Sequence, residues 1–150
     1  MELTIEIKKY LERSVLGWLA TVSSENEPNV SPKEIFNYYG TDKIIIANIA
    51  SPRTVQNIEQ NEKVCLSFID ILVQKGFQVK GKAKIIKKSS ADFPEMESVL
   101  TKMTGGHFPF STITEITVER VKPIIAPRYV FYPETTETEQ IENAKKVYGF

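Results

Sequence analysis

Cysteine is almost absent from this chain: Cys65 is the only one in 150 residues, so no disulfide can form within it. It sits in the apolar run Val64-Cys65-Leu66, which suits a buried, inert thiol and a reducing, cytoplasmic compartment. Histidine is as scarce, with His107 alone, and one Cys and one His cannot build a transition-metal site without scattered carboxylates. Beside two glycines, His107 could be an acid or base, but no adjacent nucleophile supports that role, and a plain loop histidine is the commoner reading. Net charge is missing too. Nineteen Lys and Arg balance nineteen Asp and Glu, which leaves no global field to recruit nucleic acid or an acidic membrane, although a local patch stays open. No apolar run reaches bilayer-spanning length, and Glu2, Glu6, Lys8 and Lys9 stand where an apolar leader would be, so neither a membrane span nor export is expected. Asn29-Val30-Ser31 matches a glycosylation acceptor, which has no consequence without export. No G-x-G-x-x-G occurs. Gly76 to Ala83 nearly spells a nucleotide phosphate loop, yet Ala83 lacks the hydroxyl that would hold magnesium, and these residues alternate like a strand.

What is present suffices for one core. With 41% hydrophobic residues, no repeats and no low-complexity linker, a single domain over residues 1–150 is expected. Leu3, Ile7, Tyr10 and Leu11 recur at helical spacing and predict an amphipathic helix over 3–13. Strands are predicted over Leu16–Ser23, Asn29–Tyr38, Lys43–Asn48, Lys63–Asp70, Phe77–Ile86 and Thr112–Val121, the last continuing irregularly past Pro123 and Pro127 to Tyr132. Pro32 makes the second unsuited to a central place along its whole length. In the fifth, Phe77, Val79, Gly81, Ala83 and Ile85 share one face, and Gln78, Lys80, Lys82 and Lys84 the other. The lysine row reads as a solvated face before it reads as a phosphate or nucleic-acid contact. Ser89 or Ser90 can cap a helix with the stripe Phe93, Met96, Leu100 and Met103, ended by Gly105-Gly106. Thr136 with Glu139 forms a capping box for a terminal helix over about 136–148. Strands joined by short turns, with helices only at intervals, predict an α+β, mainly β fold whose antiparallel sheet curls toward a barrel.

Polar chemistry gathers where the strand Ile44-Ile45-Ile46-Ala47 ends. After Asn48-Ile49-Ala50, Ser51 suits an N-cap, Pro52 the first helical position, and Arg53 and Thr54 the first turn of a helix to Glu59. Free backbone N–H groups, the positive end of the helix dipole, two hydroxyls and a guanidinium would converge here on an oxyanion such as phosphate. The same residues also make an ordinary capped helix.

Taken in order, Pro28-Asn29-Val30-Ser31-Pro32-Lys33, Ala47-Asn48 through Ser51-Pro52-Arg53-Thr54, Asn61-Glu62-Lys63-Val64 and Gln78-Val79-Lys80-Gly81-Lys82-Ala83 resemble the FMN-binding split-barrel family related to pyridoxamine 5'-phosphate oxidase. The resemblance spans roughly residues 5–125. It implies a six-stranded antiparallel split barrel with peripheral helices, and a homodimer holding FMN at its interface. It also implies that Lys33, Ser51, Arg53 and Thr54 meet the flavin phosphate, while Asn48 and Gln78 meet the ribityl chain or the ring. The residue types fit those roles: a guanidinium and a helix start suit a dianion, and amides suit hydroxyls and ring edges. The chain departs from the oxidase proper in having Arg53-Thr54 where two basic residues are usual, and in a tail, Glu134 to Phe150, without arginine. The expectation is therefore a small flavin-dependent oxidoreductase or electron-transfer protein with a small-molecule or protein redox partner. The alternatives are a pyridoxamine 5'-phosphate oxidase, a flavin-binding module without turnover, and a relative holding deazaflavin or haem. The strand aromatics Phe36, Tyr38 and Tyr39 and the late segment Tyr129, Phe131 and Tyr132 offer material for a dimer interface.

Overall fold

The computed structural model describes residues 1–150. Seven strands, β1 (Gly17–Val22), β2 (Pro28–Lys33), β3 (Phe36–Tyr39), β4 (Lys43–Ala47), β5 (Lys63–Asp70), β6 (Lys75–Lys87) and β7 (Thr112–Ile125), form one sheet in the order β2-β1-β5-β6-β7-β4-β3. Every pairing is antiparallel. The strand expected over Asn29–Tyr38 is two, because the chain changes partner at Glu34 and Ile35: β2 pairs with β1, and β3 with β4. That change makes seven strands of the expected six, and it also shows how the sheet is rolled. Lys33 and Phe36 are three Cα steps apart, at most about 11 Å, whereas seven strands lying flat would separate the two sheet edges by about 29 Å. Only a sheet curled on itself lets residues three steps apart join its opposite edges, so the fold is an antiparallel split barrel.

The barrel interior is filled by Leu19, Phe36, Ile44, Ile46, Leu66, Phe68, Val79 and Ile116, all at most 1% exposed. The helix α1 (Ile5–Arg13) adds Ile7, Tyr10 and Leu11 to this core, and α2 (Pro52–Gln60) adds Ile58. A second cluster lies outside the barrel, where α3 (Phe93–Thr104) lays Phe93, Met96 and Leu100 over Ile45, Ala47, Ile86 and Ile113. Strand β4 is thus covered on both faces, and this is why its sequence is uniformly apolar instead of alternating. Each such fully buried side chain contributes about 1.5–3 kcal/mol.

Several local expectations shift by a few residues. Helix α3 begins at Phe93 behind Asp92, and Ser90 serves the preceding turn instead, its hydroxyl accepting from the Asp92 N–H at 3.4 Å. Strand β7 runs regularly past Val121 to Ile125; Pro123 is tolerated because β4 pairs no further along β7 than Thr117, opposite its first residue Lys43, and leaves β7 a free edge beyond. The segment beyond is not irregular: Pro127 opens a short helix, α4 (Pro127–Phe131). The capping box is present at the start of α5 (Glu137–Tyr148), where Thr136 Oγ1 accepts from the Glu139 N–H at 3.1 Å and Glu139 Oε2 accepts from the Thr136 N–H at 3.3 Å. No helix is long and apolar enough to cross a membrane.

Candidate functional site

Alternation along β2 turns Asn29, Ser31 and Lys33 away from Pro28, Val30 and Pro32, toward the side where α2 closes the barrel. Two bonds dock that helix: Asn57 Nδ2 donates to Thr21 Oγ1 at 3.0 Å, and the Thr54 and Ser31 hydroxyls share a hydrogen bond of 2.8 Å. Lys33, only 4% exposed, is carried into the junction and donates through Nζ to Ser51 Oγ at 2.8 Å. No carboxylate answers it. The three salt bridges of the chain use Lys75, Lys82 and Lys84, leaving Lys33 and Arg53 out. Burial alone lowers the Lys33 pKa to about 8, because a desolvated ammonium with one neutral partner is costly.

Ser51 occupies the N-cap position, but its side chain makes no capping bond; the hydroxyl is engaged by Lys33 instead. This corrects the reading of Ser51 as a side-chain cap and leaves amides at the start of α2 free for another acceptor. Pro52 fills the first turn without loss, and the exposed Arg53 follows it. Ala50, just before, has φ 51°, a left-handed conformation that costs a non-glycine residue about 1–2 kcal/mol. Strain of this kind gathers at binding sites.

Asn48 lines a cavity of about 430 Å³ together with Ala50, Ser51 and Thr112. Its amide is held on both sides, Nδ2 donating to Thr112 Oγ1 at 3.2 Å and Oδ1 accepting from Thr114 Oγ1 at 2.8 Å. One Nδ2 hydrogen remains to offer. Gln78 stands apart: it lies on the outer face of β6, opposite Ser67 of β5 and Lys122 of β7, three strands from β2. The structure therefore gathers Lys33, Ser51, Thr54 and Asn48 around the start of α2, with Arg53 on the same turn, and leaves Gln78 elsewhere within one chain. It adds Ser31, whose role was readable from its place two residues before Lys33 on one strand face. It also adds Thr112 and Thr114, for which the sequence holds no local signal, since they fix Asn48 from the neighbouring strand β7.

The buried amine gives a pH signature. Lys33 titrates near 8 in the folded chain against an ordinary 10.5, so between these values the unfolded chain binds more protons and the contribution of Lys33 to stability rises with pH. Below pH 8 both states are charged and the full desolvation cost is felt. Thermal melts from pH 7 to 10.5 should show the wild type gaining stability relative to Lys33→Met; parallel curves would mean that the ammonium is well solvated.

Residues 3–143 match the family described as Pyridoxamine 5'-phosphate oxidase. The chain belongs to that family. Among solved structures, family-like folds include HupZ from Group A Streptococcus, at 26% identity and a TM-score of 0.68 over 79% of this chain and 91% of that one. An FMN-binding protein from Syntrophomonas wolfei is 18% identical with a TM-score of 0.63, covering 81% of this chain and 90% of that one. HutZ, the heme storage protein from Vibrio cholerae, is 18% identical with a TM-score of 0.66, covering 83% and 95%. The last two show the shared fold alone. No curated protein matches the sequence.

Proposed function

We propose that this family member binds FMN and works as a small flavin-dependent oxidoreductase or electron-transfer protein in a reducing cytoplasm. The observation that carries the reading is the buried Lys33 ammonium, which has a hydroxyl for company and no counter-charge. A phosphate at the start of α2 would supply that charge, accept from Ser51 and the free amides, and lie within the guanidinium's reach. Asn48, pinned by Thr112 and Thr114, offers its remaining amide hydrogen to a ribityl hydroxyl at little entropic cost. Gln78 suits a ring edge, as donor to a carbonyl or acceptor from a ring N–H. When bound, the flavin supplies the redox chemistry; binding, orientation and exclusion of water fall to these residues.

The family name favours a second reading, oxidation of a vitamin B6 phosphate. Against it, the tail from Glu134 to Phe150 carries no arginine to grip a second phosphate. The visible spectrum of the purified protein, calorimetry with FMN, and an assay for aldehyde from pyridoxamine 5'-phosphate separate the readings. Paired flavin bands or FMN uptake, with little aldehyde formed, is the expected result. Robust turnover of the B6 phosphate would promote the oxidase. A colourless protein that ignores FMN, or one showing a haem band instead, would remove the proposal.

A further inference from the structure

The outer face of the sheet holds cations that the flavin reading leaves unused. Between Lys80 and Gly81 the ladder to β7 shifts register: Lys80 pairs with Arg120 and Gly81 with Val118, so Glu119 is an extra, bulged residue. The bulge re-phases β7 and brings Arg120 and Lys122 onto the face of Lys80 and Gln78. On the neighbouring strand, Lys63 and Cys65 share that face. Lys82 is paired with Glu62 at 3.1 Å and Lys84 with Glu115 at 3.3 Å, but Lys63, Lys80, Arg120 and Lys122 take part in no salt bridge. Like charges directly opposite each other, as Lys80 and Arg120 are, destabilise a sheet. An anion between them would turn that cost into attraction. A groove of about 690 Å³ runs there, lined by Lys63, Cys65, Lys80, Lys82, Arg120 and the one carboxylate Glu119. Trp18, the only tryptophan and 49% exposed, lies on the same face, cross-strand to Ser67, which in turn pairs with Gln78.

We infer that this groove binds the diphosphate of a dinucleotide hydride donor, with Lys80 and Arg120 on the phosphates and Trp18 as a flat apolar neighbour for one of its rings. The inference rests on the flavin reading, because it is Gln78 that links the groove to the ring. Lys80 lies two residues from Gln78 on one face, roughly 7 Å away. A diphosphate held there leaves its dihydronicotinamide head within reach of a ring at Gln78. A donor held there would give up a hydride, two electrons together with their proton, and depart as the oxidised nicotinamide cation; a bound flavin would supply the acceptor for the whole hydride.

The test uses FMN-loaded protein and ADP-ribose, which carries the diphosphate but cannot be oxidised in this way. Binding is followed by calorimetry and by the fluorescence of Trp18, in wild type and in the double variant Lys80→Gln, Arg120→Gln. Wild type should bind ADP-ribose, more weakly as salt rises, and the variant should lose about tenfold or more in affinity. Both proteins should hold FMN equally and be reduced at equal rates by the uncharged donor 1-benzyl-1,4-dihydronicotinamide. Flavin uptake without ADP-ribose binding, or equal ADP-ribose binding by both proteins, overturns the donor groove and leaves the flavin reading standing. Failure of FMN to bind the wild type overturns both.

Discussion

Arg53→Ala should weaken FMN about ten- to a hundredfold and leave riboflavin nearly unchanged. A hydrogen bond to a charged group contributes about 1.5–3 kcal/mol, and riboflavin lacks the phosphate that would make it. The substitution is also clean. Arg53 is exposed, takes part in no salt bridge, and sits in the first turn of a helix, where alanine is a better helix former. The fold should melt where the wild type does, so lost affinity can be read as a lost contact. Parallel calorimetric titrations with the two ligands decide it. Equal losses for both would make Arg53 structural, and no loss for either would move the phosphate away from α2.

What could be read in the sequence was what local chemistry dictates. The capping box at Thr136 and Glu139, the proline that opens α2 and the alternation of β6 each depend on residues a few positions apart, and each lies where it was expected. The split of the second strand did not show, because Lys33-Glu34-Ile35-Phe36 holds no glycine, proline, asparagine or aspartate to mark a turn, and only the partners across the sheet reveal that β2 and β3 sit on opposite edges. Phe36 was misread for the same reason. Offered as interface material, it is 1% exposed inside the barrel, while Tyr38 packs on that core and Tyr39 on the cluster under α3. An aromatic at a strand end looks the same in sequence whether its neighbour is the core or a second molecule. In the site, Lys33 was legible as a cation, but its burial was not. That depends on α2 folding back over β2, a contact made across about twenty residues.

We propose that the chain pairs with a second copy of itself, and separating that dimer should release the flavin. Within one chain the Lys33 amine lies on the inner side of the edge strand β2, and Gln78 on the outer face of β6, about 14 Å across three strand spacings. A single FMN that touches both is most simply completed by a second copy that contributes one of them. The surface nearest that end of β6 is apolar: beyond β7, α4 presents Phe131 at 76% exposure and leads into Tyr132 at 64%. Tyr129 is tied down, its hydroxyl donating to the Val73 carbonyl at 2.7 Å, so it anchors α4 and leaves contact to its neighbours. Light scattering should report twice the 17.1 kDa chain mass. The double variant Phe131→Glu, Tyr132→Glu touches no core residue, so it should keep the wild-type circular dichroism, run as a monomer, and lose FMN. Dilution of the wild type below its dimer dissociation constant should release flavin in step with the fall in mass. A monomer that keeps FMN tightly bound would refute the shared site while leaving the anchor at Lys33 and Arg53 intact, since that anchor is built by one chain alone.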